Sequence, residues 1–281
     1  MNLDCPEIAK SFPEYQFLAE LGEGTFKVAC LIEAQGEKKV LKVSKASVEG
    51  EDSNLPVRLS REIEAMKEVA SDGIAQVLDG PGVRSVAGED RVFYIEEFYP
   101  GGTLDQRLDS PWSAGEVAGL LRGLLEAVKT LEARGIVHRD IKPENIVFDA
   151  DGKPVLLDLG IAYYKDLSSV TEPFGSSPKT PRWAAPEQFA MRSTIVIDSR
   201  TDMFGVGVVV FEAATGGVHP FNPDDGAEYM DRLSSGQLDQ EALGQAEIPQ
   251  QLSKVLVRLL QGAPNRRFRK VDAALQALEG C

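Results

Sequence analysis

The chain has 281 residues, enough for one two-lobed domain or two small ones with a sizeable apolar core. Its 30 Lys and Arg against 44 Asp and Glu leave a formal net charge of −14, which argues against general nucleic-acid binding and fits a basic or neutral protein partner better. Three widely spaced cysteines, Cys5, Cys30 and Cys281, form no metal or disulfide signature and suggest a reducing compartment, the cytoplasm.

In chain order, residues 1–12 carry acidic residues early and no apolar core, so they do not read as a secretory signal. Two alternating apolar stretches, 15–21 and 28–32, flank Leu21-Gly22-Glu23-Gly24-Thr25-Phe26-Lys27-Val28 and predict a hairpin. Gly22 and Gly24 at its tip permit positive φ and let amides approach an anion closely, although a purely structural hairpin uses glycines as readily. Val40-Leu41-Lys42-Val43 then sets a lysine among apolar neighbours in a strand, where burial is costly unless the charge is paired. Residues 46–55 read as an acidic, Gly-bearing loop, and 56–70 as a helix with Ile63, Met66 and Ala70 on its apolar face. Glu62 and Glu64 on that helix are the candidate partners of Lys42; at about 100° per residue they lie about 200° apart, so both cannot face it. The bland alternative is an edge-strand charge and a solvated helix residue.

A strand over 92–98 leads into Tyr99-Pro100-Gly101-Gly102, whose Pro and glycines suit a connection between lobes. The helix predicted over 113–134 keeps Val117, Leu120, Leu121, Leu124, Leu125, Val128 and Leu131 on one stripe and is scaffold. After it, His138-Arg139-Asp140-Ile141-Lys142-Pro143-Glu144-Asn145 sets a base, a cation and an oxygen ligand within one turn-like segment. Phosphoryl transfer needs residues of these types, which orient a nucleophile, neutralise developing negative charge and hold a divalent cation. The apolar run Val155-Leu156-Leu157 reads as a buried strand ending at Asp158-Leu159-Gly160. Alone, that ending is an ordinary turn, and its spacing from Asn145 is what makes Asp158 a candidate metal ligand.

Residues 158–187 are long, polar and rich in hydroxyls, which marks a functional or disordered loop. The segment closes on Thr180-Pro181-Arg182-Trp183-Ala184-Ala185-Pro186-Glu187. Asp202-Met203-Phe204-Gly205 opens an apolar helix that runs to Gly216, and its apolar stretch 206–214 is far too short to span a bilayer, so no membrane insertion is expected. His219, before Pro220-Phe221, reads as a structural histidine.

Together these segments resemble the catalytic domain of eukaryotic-type serine/threonine protein kinases, bacterial ones included, over about 15–278. Residues 138–145 match H-R-D-x-K-P-x-N, Asp158-Leu159-Gly160 matches D-F-G with Leu for Phe, and 180–187 matches T-P-x-Y/W-x-A-P-E. The resemblance implies an α+β, two-lobed protein-kinase fold, a single kinase domain over 1–281. Its small antiparallel-sheet N-lobe with one main helix spans about 1–97, its hinge about 96–102 and its mainly helical C-lobe about 103–281. ATP would sit in the cleft between lobes.

The same resemblance implies roles. Asp140 accepts or orients the proton of the substrate hydroxyl, and Lys142 stabilises the transferring γ-phosphoryl group. Lys42 holds the α/β-phosphates with Glu62 as its partner, and Asn145 and Asp158 hold Mg²⁺, for which Mn²⁺ can substitute. Gly22 and Gly24 cover the phosphates, while Lys27 stands at or beside the missing third glycine of G-x-G-x-x-G, which either stiffens the loop or sets its cation near phosphate. Ile95 takes the gatekeeper position, the backbone of Glu96 and Phe98 contacts adenine, and Val28, Val40 and Val147 surround it. Thr180 contacts Asp140 and Lys142, Lys179 stands where the family usually has Gly, and Glu187 pairs with Arg267. Arg139 gathers a phosphate from the activation segment, with Ser176 at the usual position and Ser177 and Thr171 as neighbours; the alternative is a solvated loop that is never modified. The implied activity is transfer of the γ-phosphoryl group of ATP to protein Ser/Thr hydroxyls, with autophosphorylation. Two other classes stay in view. A pseudokinase scaffold would need none of Lys42, Asp140, Asn145 and Asp158, and a small-molecule phosphotransferase, such as those acting on aminoglycosides, lacks an activation segment ending in A-P-E.

Overall fold

The computed structural model describes residues 3–24, 26–49, 55–69, 71, 73–159, 163–164, 182–189, 197–223 and 228–279. The chain divides into two compact units, Met1–Tyr99 and Pro100–Cys281. Among the described residues no helix is long and apolar enough to cross a membrane.

The first unit contains α1 (Cys5–Ser11), β1 (Gln16–Glu23), β2 (Lys27–Ala34), β3 (Glu37–Ser47), α2 (Leu55–Val69), β4 (Val77–Val86) and β5 (Glu89–Glu97). Its strands form one antiparallel sheet in the order β1-β2-β3-β5-β4. Because side chains alternate along a strand, the register sorts every residue onto one of two faces. Val28 pairs with Val43, Cys30 with Leu41, and Leu41 with Ile95, and all five belong to one buried cluster with Ile8 and Phe12 of α1. The other face carries the pairs Ala29 with Lys42, Leu31 with Val40, Lys42 with Tyr94 and Val40 with Glu96.

This sorting corrects two expectations. Val28 and Ile95 are core residues on the face opposite Lys42, so neither lies beside a ligand that Lys42 holds. The β2 position on the Lys42 face belongs to Ala29, and the β5 position belongs to Glu96. Glu96 is cross-strand to Val40 on one side and Val77 on the other, so it presents its carboxylate to that face. The period of 2 makes a one-residue error in alignment a complete change of face.

The cysteines correct a third. Cys5 and Cys30 are joined by a disulfide that links α1 to β2 across 25 residues, so their spacing gives no support to a reducing compartment. The helix it anchors was not anticipated either, although its start and stop signals are present. Asp4 caps it by accepting from the Glu7 amide at 2.9 Å, Pro6 lies in its first turn, and Lys10 in its last. Leu3, Cys5, Ile8 and Phe12 then cover the sheet face that Val28 and Val43 would otherwise expose.

The second unit contains α3 (Ala114–Ala133), β6 (Ile136–Val137), β7 (Ile146–Phe148), β8 (Pro154–Leu156), β9 (Tyr163–Tyr164), α4 (Ser199–Thr215), α5 (Tyr229–Ser235), α6 (Gln240–Gln245), α7 (Gln250–Leu259) and α8 (Val271–Ala277). A reciprocal Ser113 and Glu116 box starts α3, and the predicted apolar stripe is buried throughout. α4 is buried almost all round, from its Asp198 cap to Gly216, which ends it at φ 70°. Gly205 lets α4 approach the loop after β6: a Cβ there would stand 3.1 Å from that of Ile141.

Candidate active site

The loop between β6 and β7 holds Asp140, Lys142 and Asn145 in mutual contact. The Asn145 amide nitrogen donates to the Asp140 carbonyl at 2.8 Å and to its Oδ2 at 2.9 Å, and Lys142 Nζ reaches the same Oδ2 at 2.9 Å. With its nitrogen committed twice to Asp140, the amide of Asn145 turns its oxygen away from that residue. A hard oxygen there and the Asp158 carboxylate are the donor types that suit Mg²⁺, so the residues present fit the cation. The Leu157 amide donates to the Asn145 carbonyl at 2.8 Å, which ties the strand before Asp158 to the end of the loop. Asp158 itself has φ 54°, a left-handed conformation that Asp tolerates better than most residues.

Three groups fix this loop from below. Asp202 of α4 accepts from the amides of His138 and Arg139, each at 2.8 Å. Burial pushes its carboxyl up to about 6, against the pull of His138 and the two amides. His138 Nδ1 lies 3.3 Å from the Asp140 amide and Nε2 lies 3.0 Å from the Leu157 carbonyl. The ring thus bridges this loop and the strand leading to Asp158. Gln188 Nε2 donates to the Arg139 carbonyl at 2.8 Å, and Arg139 takes φ 69°.

Sequence reasoning passed over Asp202 and Gln188 as functional supports. A carboxylate opening an otherwise apolar helix was the available signal, since it must be satisfied when buried. His219 repeats the geometry of His138 in a structural setting, with Nδ1 3.2 Å from the Phe221 amide and Nε2 2.8 Å from the Arg182 carbonyl. Glu187 pairs with Arg267 at 2.7 and 2.9 Å, and Val147 is buried in β7.

In the first unit, Lys42 Nζ stands 2.8 Å from Glu96 Oε2, both nearly inaccessible to solvent. Lys27 Nζ lies 2.9 Å from the hydroxyl of Tyr94, whose ring also faces Lys42 at 5.9 Å. Val40 is buried beside them on the same face. Gly22 lies near the end of β1 and Gly24 follows it, neither with a left-handed φ. Nothing lies within 4 Å of a Cβ built on Gly22, and one built on Gly24 would stand 3.5 Å from the Lys27 carbonyl. Phe98 follows the last residue of β5. Glu62 lies in α2, with its side chain outside the described residues. Thr180, Lys179, Thr171, Ser176, Ser177, Thr25 and Gly160 also lie outside them.

The family described as Protein kinase domain matches residues 15–278. Serine/threonine-protein kinase D of Synechocystis is 28% identical over 274 residues, covering 94% of this chain and 51% of that protein. Serine/threonine-protein kinase Pkn1 of Myxococcus xanthus is 31% identical over 229 residues, 79% of this chain and 31% of that protein. CBL-interacting serine/threonine-protein kinase 19 of Arabidopsis thaliana is 27% identical, across 92% of this chain and 52% of that protein. The chain thus spans about half, or less, of the length of these relatives.

Proposed function

The chain belongs to the protein kinase domain family, and on that premise we propose that it transfers the γ-phosphoryl group of ATP to serine and threonine hydroxyls of proteins. The observation that carries this reading is the contact set of Asp140 with Lys142 and Asn145. Asp140 orients the acceptor hydroxyl and takes its proton, an effect worth roughly 10²–10⁴-fold. Lys142, bonded to the same carboxylate, sits where it can neutralise charge developing on the transferring group. Lys42 holds the α/β-phosphates, and Asn145 and Asp158 would hold Mg²⁺, which would supply positive charge to offset that of the phosphates.

Ala29, on the face of Lys42, takes the place of Val28 beside Val40 as the apolar surface offered to the adenine. ATP supply argues for a cytoplasmic site of action. The pseudokinase reading is disfavoured because Asp140, Lys142 and Asn145 are arranged for transfer, an arrangement a scaffold does not need.

The test is incubation of the purified chain with radiolabelled ATP, Mg²⁺ and a basic protein acceptor, beside Asp140→Asn. The variant is expected to keep nucleotide binding and lose nearly all transfer; undiminished transfer would refute the assignment. Mass spectrometry of the same samples reads autophosphorylation over residues 168–180. Phosphate on Ser176, Ser177 or Thr171 in the wild type alone supports activation-segment modification, and its absence assigns activation elsewhere.

A further inference from the structure

The carboxylate expected from spacing as the partner of Lys42 lies on α2, yet a buried carboxylate faces Lys42 from its own sheet. Lys42 Nζ and Glu96 Oε2 are 2.8 Å apart, with 6% and 1% of the side chains exposed. The ladder sets the pair: Val40 is opposite Glu96 and Lys42 opposite Tyr94, so Lys42 and Glu96 are diagonal neighbours on one face of β3 and β5. An ammonium this deeply buried is costly unless a carboxylate or other acceptor holds it, and a carboxylate at 2.8 Å fixes where it points. Lysine has three N–H donors, so a bond to Glu96 is compatible with bonds to phosphate oxygens.

Other charged groups surround the pair. Lys27, through the Tyr94 hydroxyl, brings a second cation to the same face. α2 packs against β3, β4 and β5 and bears Arg61, Glu64, Lys67 and Glu68 at exposed positions, together with Glu62. Glu96 differs from all of these in being built into the strand that adjoins β3. Its distance from Lys42 follows from strand pairing, whereas any carboxylate on α2 reaches Lys42 only as far as the packing of that helix allows.

We propose that Glu96 is a positioning residue for nucleotide binding, holding the Lys42 ammonium in place from within the sheet. The proposal rests on the reading above that Lys42 contacts the phosphates of ATP. It adds a second carboxylate to the one expected on α2. It also implies that displacement of α2 leaves Lys42 directed at its ligand.

A double-mutant cycle on the binding of a fluorescent ATP analogue with Mg²⁺ tests it, using Glu96→Gln, Lys42→Met and the double variant. If Glu96 acts through Lys42, Glu96→Gln weakens binding about tenfold when Lys42 is present and less than about twofold in the Lys42→Met background. Glu96→Asp, which keeps the charge on a shorter arm, restores part of the loss and gives the same contrast if the Gln variant does not fold. Equal losses in both backgrounds overturn the proposal. Tighter binding by Glu96→Gln also overturns it, since Glu96 would then compete with the phosphates for Lys42. The radiolabel assay separates the two readings: coupling without transfer keeps the positioning role and removes the kinase assignment, and transfer without coupling does the reverse.

Discussion

Replacing Glu187 with Gln should destabilise the second unit by about 3–5 kcal/mol, because it strips the charge partner from a guanidinium that water does not reach. The Arg267 side chain is 0% exposed and that of Glu187 is 2%. All five N–H donors of Arg267 are used. Nη1 and Nη2 donate to the two Glu187 oxygens at 2.7 and 2.9 Å, Nε to the Gln261 carbonyl at 2.7 Å, and the remaining two to the carbonyls of Arg200 and Gly262, each at 2.9 Å. Thr201 adds a hydroxyl donor to Glu187 at 2.8 Å. A neutral amide in place of the carboxylate leaves the cation buried among neutral acceptors and obliges one donor to face the NH₂ end. Tryptophan fluorescence in a urea titration reads the effect, since both tryptophans, Trp112 and Trp183, belong to the second unit. At about 1–3 kcal/mol per molar urea, the midpoint should fall by more than about 1 M. Removing both charges with Glu187→Leu and Arg267→Met should cost less than the sum of the single variants, because no lone charge is then left inside. A loss below about 1 kcal/mol for Glu187→Gln, the scale of an exposed pair, would refute the reasoning.

Two other outcomes follow from burial and covalent constraint. Glu212 is pushed up to about 7 by burial, despite the Trp183 indole donating to it at 2.8 Å, so the folded state takes up its proton more readily than the unfolded state, whose value is near 4.5. Its contribution to stability is therefore complete below about 4.5 and fades as pH rises through about 7; melting curves from pH 4.5 to 8 should show wild type losing ground to Glu212→Gln across that window, and parallel curves would count against it. Reduction of the Cys5–Cys30 disulfide, which closes 25 residues, should cost about 3.5 kcal/mol in the chain-entropy relation. Amides of α1 and β2 should then exchange faster with deuterium, and unchanged exchange would show that the bond does not hold the helix.

Much of the local geometry of the candidate site was legible in the chain itself. Asp140, Lys142 and Asn145 fall within six residues, and a short loop can bring them together only in a few ways, so their order already implied contact. The capping signals of α3 and the glycine that ends α4 were likewise local, and local geometry follows from local sequence. Tertiary structure decided what depends on register and on residues far apart. Nothing local tells Val28 from Ala29 as the neighbour of Lys42; strand pairing chose Ala29, and the same pairing exchanged Ile95 for Glu96. Asp202 reaches His138 across 64 residues, and Cys5 meets Cys30 because α1 packs on the sheet face that β2 presents. Residue types and their short spacings thus determined the local geometry of the candidate site, while the alternation of the sheet and the burial of charge determined which distant neighbours hold it in place.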